Sequence, residues 1–332
     1  MFKPVKNTLA FSILLLLMSC SKRNELLNND PKNTLRQTCT VEAQPYSCGP
    51  YTMLHFTSEA VYDAAYTCLE QEYENYNDAF SNQYAQLNDD DYNDLIDSLG
   101  FEEEQTLIDF EALKNHSSLR NKLRTDEAIW LAAGADTLTY PAGHAVNDVI
   151  EQALLSKDGN VRIGNDLIHY ALDGSVIIAA NLDCSAFEQA INDPSFINPN
   201  ITRIENSDPD CVFKEAKWGF KSYDNSNKRY YWEVRFRNGT SKAYATSVIK
   251  NFRKKNGNWK KGTARLYVKV AGQAHSITCD TFSAFSYDEK DKRRRNLNAK
   301  RKILYNVKAK RNDVVGFYNV NGNNLSYANL TW

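Results

Sequence analysis

The sequence predicts an α+β protein: an α-rich N-terminal domain that ends in a small β-meander, then an all-β, antiparallel, sandwich-like C-terminal domain. Three observations predict this class. Apolar residues recur at helical spacing in the first half, short β-rich runs separated by Asp-Gly turns follow, and apolar and polar residues alternate in the last third. The 332 residues are enough for two domains, since one domain typically takes about 100–200 residues.

The first 20 residues have the pattern of an export signal. Two lysines and an apolar run from Leu9 to Met18 precede Ser19 and Cys20. The run is too short to span a bilayer, which takes about 20 apolar residues. Residues 17–20 resemble the lipobox of bacterial lipoproteins, and this resemblance implies a signal peptide over 1–19 and acyl chains such as palmitate on Cys20. We therefore expect an extracytoplasmic lipoprotein anchored in the outer membrane.

The region after the signal is predicted to begin with a flexible tether and to continue as helices. Residues 20–50 are polar or turn-rich and lack periodicity. Thr57 or Ser58 can cap a first helix, and Gly100 lies where a left-handed C-cap would end the helical region. Further helices are predicted near 104–113, 125–133 and 145–155. An apolar stripe at helical spacing links Tyr76, Phe80, Tyr84 and Leu87.

The β-rich part begins at Asp158-Gly159. Asp-Gly turns at 158 and 173 separate short β-rich runs and predict a meander that closes a domain over 51–182. Residues 183–211 hold many Asn, Asp and Pro, and are predicted to be a linker. The segment 212–332 is predicted to be the sandwich, since Tyr230–Arg237 alternates as a half-buried strand does and Asn-Gly pairs begin at 238, 256 and 321.

The two halves of the chain carry net charges of opposite sign. Residues 214–332 contain 27 basic and 8 acidic residues, a balance of +19, whereas residues 1–213 contain 13 basic and 33 acidic residues, a balance of −20. Such asymmetry indicates contact with a polyanion or a membrane surface, or a pairing of the two halves with each other. The sequence leaves these interpretations open.

Basic residues beside aromatic ones suit an anionic glycan or a phosphate-bearing ligand. We expect a non-catalytic protein whose C-terminal domain binds an anionic polysaccharide, a lipid head group or a protein partner. Nucleic acid is not expected outside the cytoplasm. The alternative is that these residues only keep loops soluble. The predicted ligand-binding residues are Arg253, Lys254, Lys255, Trp259, Lys260, Lys261, Arg293, Arg294 and Arg295.

The cysteines predict disulfides. Seven are present, and lipidation of Cys20 leaves six. An even number in an exported protein favours bridges. Proximity in sequence favours two pairings, Cys39–Cys48 and Cys184–Cys211. Buried free thiols are the alternative for Cys68 and Cys279.

A resemblance to a group of proteins is carried by the stretch from Ala153 to Tyr170. There a predicted helix ends, Asp158-Gly159 turns the chain, and an Ile-Gly-Asp motif follows in which Asn165 stands between Gly164 and Asp166. The stretch resembles a segment of uncharacterised envelope lipoproteins of gut-type Gram-negative bacteria. The resemblance implies a surface or periplasmic lipoprotein and implies no catalytic residues.

An enzyme alternative starts from Gln44 and Cys48. The run from Gln44 to Pro50 is similar to the entry of papain-like cysteine peptidases, which implies an oxyanion-hole glutamine and a nucleophilic cysteine, with His144 as general base. Two features argue against it: Tyr51–Phe56 is predicted to be a strand where that family has a helix, and an even set of six cysteines favours a bridged Cys48. Whether the protein is an enzyme stays open, with a non-catalytic role favoured.

No metal or cofactor is predicted. Asn88–Asp94 begins like a calcium loop, but Asp94 stands where the loop needs glycine and Gly100 where it needs glutamate. An acidic helix cap explains this segment better. The five histidines lack zinc-site spacing, and no phosphate-binding glycine motif occurs.

Overall fold

A computed structural model describes residues 40–135, 143–204, 218–222, 227–238, 242–276, 282–304, 307–321 and 323–329. The predicted signal peptide, the lipidation site Cys20, Cys39, Cys211 and Cys279 lie outside these residues. Within them, the fold is α+β as predicted, with the helices in the N-terminal half and long antiparallel strands in the C-terminal half. No helix in the described ranges is long and apolar enough to cross a membrane.

The N-terminal half combines helices with a six-stranded sheet. Its helices are α1 (Glu59–Gln83), α2 (Asp89–Leu99), α3 (Gln105–Leu113), α4 (Leu119–Ala132), α5 (Val149–Leu154) and α6 (Cys184–Asn192). Its strands are β1 (Gln44–Cys48), β2 (Tyr51–Phe56), β3 (Asn160–Ile163), β4 (Asp166–Tyr170), β5 (Val176–Ala179) and β6 (Ile201–Ile204). A 3₁₀ turn, Ala180–Leu182, follows β5.

The six strands lie in chain order, β1 to β6. Every neighbouring pair is antiparallel except β2 and β3, which run parallel with His55 opposite Arg162. A parallel pair needs a crossover connection, and here α1 to α5 supply it. The predicted meander is confirmed as β3–β5, and the structure extends it on both sides.

Local sequence signals determine where two of the helices begin and end. Ser58 caps α1, because its Oγ accepts a hydrogen bond from the Val61 amide at 3.3 Å. Gly100 ends α2 with a φ of 60°, a left-handed conformation that glycine adopts without a Cβ clash, and its N–H bonds to the Ile96 carbonyl. Both caps confirm the predictions.

The C-terminal half has two antiparallel sheets around one apolar core. The first sheet contains β7 (Trp218–Ser222), β8 (Lys228–Asn238), β9 (Lys242–Lys255), β10 (Asn258–Lys261) and β13 (Asn296–Leu304). The second contains β11 (Ala264–Ser276), β12 (Phe282–Arg294), β14 (Val307–Val320) and β15 (Asn323–Asn329). Apolar side chains of both sheets, among them Val234, Ile249 and Val268, form the core, as a sandwich requires.

The strand β8 differs from its prediction. Its alternation predicts one buried and one solvated face, yet Glu233, Arg235 and Arg237 are each at most 5% exposed. The face that carries them is covered by the N-terminal half: Arg237 pairs with Glu151, and Glu233 accepts from Asn147 Nδ2 at 3.0 Å. The polar face is therefore buried against charged partners.

Two predicted boundaries are also corrected. The predicted tether 20–50 contains β1, and Val41 and Ala43 lie in the core of the N-terminal half. The predicted linker 183–211 contains α6 and β6, because both elements are short and lie between prolines and asparagines that obscure their periodicity. The folded N-terminal half therefore begins earlier and ends later than predicted.

A disulfide joins Cys48, at the end of β1, to Cys184, the first residue of α6. Cys48 and Cys184 are therefore bridged, as predicted, but to each other and not in the predicted pairings Cys39–Cys48 and Cys184–Cys211. Sheet pairing brings the two residues together across 136 positions, to a Cα–Cα distance of 5.3 Å, so proximity in sequence is misleading here. Cys68 is also disulfide-bonded, which overturns the free-thiol alternative for it.

Replacing both Cys48 and Cys184 with alanine is expected to lower the free energy of unfolding by about 2–5 kcal/mol, because the bridge closes a long loop in the unfolded chain. Urea unfolding of the double variant and the parent measures the change. In the parent, mass spectrometry after alkylation without reduction should find neither sulfur modified, and modification of native Cys48 would contradict the bridge.

Candidate functional site

The carboxylates of the N-terminal helices meet the cations of the C-terminal strands along one surface. We call this surface the charge interface, and it is the most extensive cluster of functional groups among the described residues. On α1, acidic residues at four-residue steps share a face, with a rise of about 6 Å per step. On β12, basic residues at two-residue steps repeat at about 6.8 Å. The two rows are Glu70, Glu74 and Asp78, facing Lys290, Lys292 and Arg294.

The matching spacing lets every cation of this row reach a carboxylate. Lys292 Nζ lies 2.6 Å from Asp78 Oδ2, and Arg294 Nη2 lies 2.6 Å from Asp78 Oδ1. The cations lower the pKa of Asp78 although its partial burial alone would raise it. Arg294 is only 2% exposed, so its charge depends on these carboxylates rather than on water.

A second group of contacts surrounds α2. Arg253 Nη2 lies 2.8 Å from Asp97 Oδ2, and Lys255 Nζ lies 2.6 Å from Asp94 Oδ1. Arg293 packs its guanidinium 4.1 Å from the centre of the Tyr92 ring. The acidic segment that begins like a calcium loop is therefore a helix start, in which Asp89 and Asp94 pair with basic side chains. Within the described residues, no group of His, Cys, Asp and Glu is arranged to hold a metal ion.

Glu127 of α4 lies at the centre of the charge interface and is fully buried. Lys250 Nζ and Lys261 Nζ approach its carboxylate at 3.0 and 3.1 Å, and Arg124 Nη1 at 3.2 Å. Burial alone would raise the pKa of Glu127, but the three cations outweigh it and hold this pKa well below its ordinary value. The same burial lowers the pKa of Lys250.

Glu151 of α5 forms the next buried pair. Lys300 Nζ lies 2.8 Å from its Oε2, and Arg237 also pairs with it. Desolvation would raise the pKa of Glu151, but Arg237 and Lys300 lower it to about 2. Aromatic rings enclose both cations: the Tyr244 ring is centred 4.5 Å from the Arg237 guanidinium, and the Tyr66 ring 4.2 Å from Lys300 Nζ.

Glu103 is a buried carboxylate whose charged form is stabilised less than the charged forms of Glu127 and Glu151. Its two oxygens accept the backbone N–H of Arg295 at 2.8 and 3.0 Å. Burial raises the pKa of Glu103 to about 7, although the nearby Arg294 and Arg295 act against it. Glu103 therefore changes charge near neutral pH in the middle of the charge interface.

The structure places the predicted ligand-binding residues in this interface and not on an open binding face. Their cationic groups were predicted to face an outside anion, but most lie against carboxylates of the N-terminal half, because that half carries the complementary charge. Trp259 is buried with Trp130 and Phe252, and Lys254 is exposed, 5.9 Å from the Trp259 ring. Three further ion pairs join predicted ligand-binding residues to the N-terminal half: Lys260–Asp97, Arg293–Asp89 and Arg295–Glu102.

The peptidase alternative finds no support in the geometry. Cys48 is bridged to Cys184, so its sulfur is not a free nucleophile. His144 is buried, its Nδ1 accepts from the Val146 amide at 3.1 Å, and its Nε2 lies 3.0 Å from the Tyr170 carbonyl. Burial lowers the pKa of His144 to about 3. Gln44 is exposed on β1, and neither ring nitrogen of His144 contacts the other two residues.

Sequence reasoning missed most of the buried carboxylates, among them Glu103, Glu104, Glu111, Glu127 and Glu151. They lie in helices or in the turn before α3, where a glutamate is ordinarily solvated. One signal in the sequence pointed to them, namely the opposite charge balance of the two halves. The charge balance indicates that the two halves pair with each other, but it does not show which residues are buried.

The comparisons with known proteins add little. No family model matches the chain, and no curated protein sequence matches it. Among solved structures, a DUF4848 family protein from Bacteroides thetaiotaomicron is similar over 85% of this chain and 95% of that chain, at 9% identity and a TM-score of 0.23. A TM-score this low supports no argument about fold or function.

The substitution Glu151→Gln is expected to lower the free energy of unfolding by about 3–5 kcal/mol, because it leaves the buried Arg237 and the half-buried Lys300 without this counter-charge. Urea unfolding at pH 7 measures the change. The control is Asp94→Asn, which removes an exposed charge from the same interface and should change stability little. Equal effects of the two substitutions would contradict the role given to burial.

Glu103 should make stability depend on pH in a predictable direction. The pKa of Glu103 in the folded protein, about 7, lies above the ordinary 4.5, so the folded state favours the protonated carboxyl. The stability that this preference contributes is complete below pH 4.5 and is lost as the pH rises through 7. Relative to Glu103→Gln, the parent should lose on the order of 2–3 kcal/mol between pH 5 and pH 8. Chemical unfolding across this range measures the difference.

The substitution Asp166→Asn serves as the control for this measurement. Asp166 is exposed on β4 and is not among the charges that shift the pKa of Glu103, so it should not change the pH profile of the parent. A parent and a Glu103→Gln variant with parallel profiles would show that Glu103 ionises like an ordinary carboxylate.

Proposed function

We propose that this protein is a non-catalytic, lipid-anchored envelope protein with a structural role, in which the acidic and basic halves pair to form one rigid body held at the membrane by Cys20. The observation that carries the proposal is the burial of Glu127 and Glu151 between cations of the other half. The lipid anchor rests on the export signal and lipobox pattern of residues 1–20.

The pairing accounts for most of the cations that a polyanion site would use. A bound polyanion would compete for cations such as Arg253, Arg294 and Lys261, which already contact carboxylates at 3.2 Å or less. Competition at the buried positions would leave a carboxylate such as Glu127 without a counter-charge, which is strongly unfavourable. An intact protein therefore has little reason to exchange these partners for an outside anion.

Neutralising the acidic row of α1 tests this proposal. The variant Glu70→Gln/Glu74→Gln/Asp78→Asn should lower the free energy of unfolding by about 2–4 kcal/mol, since it leaves the buried Arg294 unpaired while the rest of the row stays partly solvated. The matched control, Glu42→Gln/Asp109→Asn/Asp166→Asn, makes the same change in net charge at exposed positions outside the interface and should have little effect.

The same proteins, applied to a heparin matrix at low salt, separate the two interpretations of the basic half. If the halves pair, the interface variant is retained more strongly than the control of equal net charge, because only the interface variant has exposed cations that were paired in the parent. Equal stability of the interface variant and the control would overturn the pairing. Strong, salt-dependent retention of the parent would favour a polyanion-binding protein instead.

A further inference from the structure

An open groove of about 580 Å³ lies between α3 and α4, beside Lys261 of β10. This volume lies within the range of about 300–1,000 Å³ that is typical of small-molecule sites. The groove is separate from the apolar cores and adjoins one end of the charge interface. The inference drawn from it does not depend on the structural role proposed above.

The floor of the groove is a fixed network of ion pairs. Arg120 Nη1 donates to Glu104 Oε2 at 2.7 Å, and Arg120 Nε donates to Glu111 Oε1 at 2.8 Å. Arg124 Nε donates to the same Glu104 oxygen at 2.8 Å. Arg120, Glu104 and Glu111 are all buried, so these polar atoms hold their positions before any ligand arrives, as a recognition site requires.

The charges that line the groove cancel one another. Three carboxylates, on Glu102, Glu104 and Glu111, accompany three cations, on Arg120, Arg124 and Lys261. A charged ligand would have to break an existing pair in order to bind. A hydroxyl group need not, because each carboxylate oxygen can accept more than one hydrogen bond and each guanidinium has five N–H donors.

The wall and rim add two apolar side chains and several neutral polar groups. Ile108, which is 36% exposed, and the small Ala112 line the groove. The exposed side chains of Asn115, Ser117 and Asn121 line the rim and offer both donors and acceptors. His116 Nε2 lies 3.0 Å from the Leu155 carbonyl, which accepts its proton. Burial lowers the pKa of His116, which favours the neutral ring, and Nδ1 of the neutral ring is then an acceptor.

We propose that this groove binds a neutral, polyhydroxylated ligand, namely a saccharide unit. Balanced charges disfavour anions and cations, while dense, fixed donors and acceptors match neighbouring hydroxyl groups. Ile108 provides a contact for the apolar face of a sugar ring. The lining contains no Phe, Tyr or Trp, so a ligand that binds mainly by stacking on a large aromatic ring fits less well.

The test uses the full folded chain without its lipid and a panel of defined probes: galactose, N-acetylglucosamine and maltose as neutral sugars, glucuronate as an anion and glucosamine as a cation. Binding is followed by ligand-observed NMR. We expect at least one neutral sugar to bind in the millimolar range, and the two charged sugars to bind at least tenfold more weakly.

Two variants of α3 locate the binding. Ile108→Arg places a long charged side chain inside the groove and should weaken binding at least tenfold. Leu113→Arg makes a comparable change at a residue of the same helix that is 79% exposed and does not line the groove, so binding should be unchanged. Asn121→Ala, a small change at the rim, should weaken binding without affecting the fold.

Three results would overturn the proposal. One is that no neutral sugar of the panel binds. Another is that a neutral sugar binds but Ile108→Arg and Asn121→Ala leave its affinity unchanged, which would place binding elsewhere. The third is that glucuronate or glucosamine binds as tightly as the neutral sugars. Thermal unfolding of each variant establishes that a loss of binding is not a loss of fold.

Discussion

The whole structure depends on keeping several buried carboxylates charged. Glu104, Glu127 and Glu151 are buried, and a buried charge is tolerated only when counter-charges and hydrogen bonds satisfy it. Each lies against two or more cations. For Glu127 and Glu151, cations of the other half contribute, so each of these carboxylates depends on counter-charges from the C-terminal strands.

This constraint acts on the relative position of the halves more than on total stability. Buried ion pairs recover little more than their own desolvation cost, but separating one from its partner is strongly unfavourable. A shift of β12 by one residue would turn Lys290, Lys292 and Arg294 away from α1, because side chains alternate between the faces of a strand. Charge therefore specifies how the two halves fit together, while the apolar cores provide the main driving force for folding.

Local features of the fold could be predicted from the sequence, and contacts between distant parts could not. The caps at Ser58 and Gly100 and the extended conformation of β8 depend on neighbouring residues, and the structure contains all three. The Cys48–Cys184 bridge and the burial of Glu233 depend on how the sheet and the halves assemble. The basic residues were recognised as a group, but charge alone does not distinguish an outside anion from the acidic half of the same chain.

The parallel pairing of β2 with β3 has a consequence for how the molecule forms. His55 and Arg162 lie opposite each other, and α1 to α5 lie between them in the chain, so the acidic helical body is an insertion between two adjacent strands of one sheet. Such a contact has a high sequence separation, and contacts of this kind form slowly because chain entropy must be lost first. We therefore expect the β2–β3 pairing to form late in folding, after the helices between the two strands have brought their ends together.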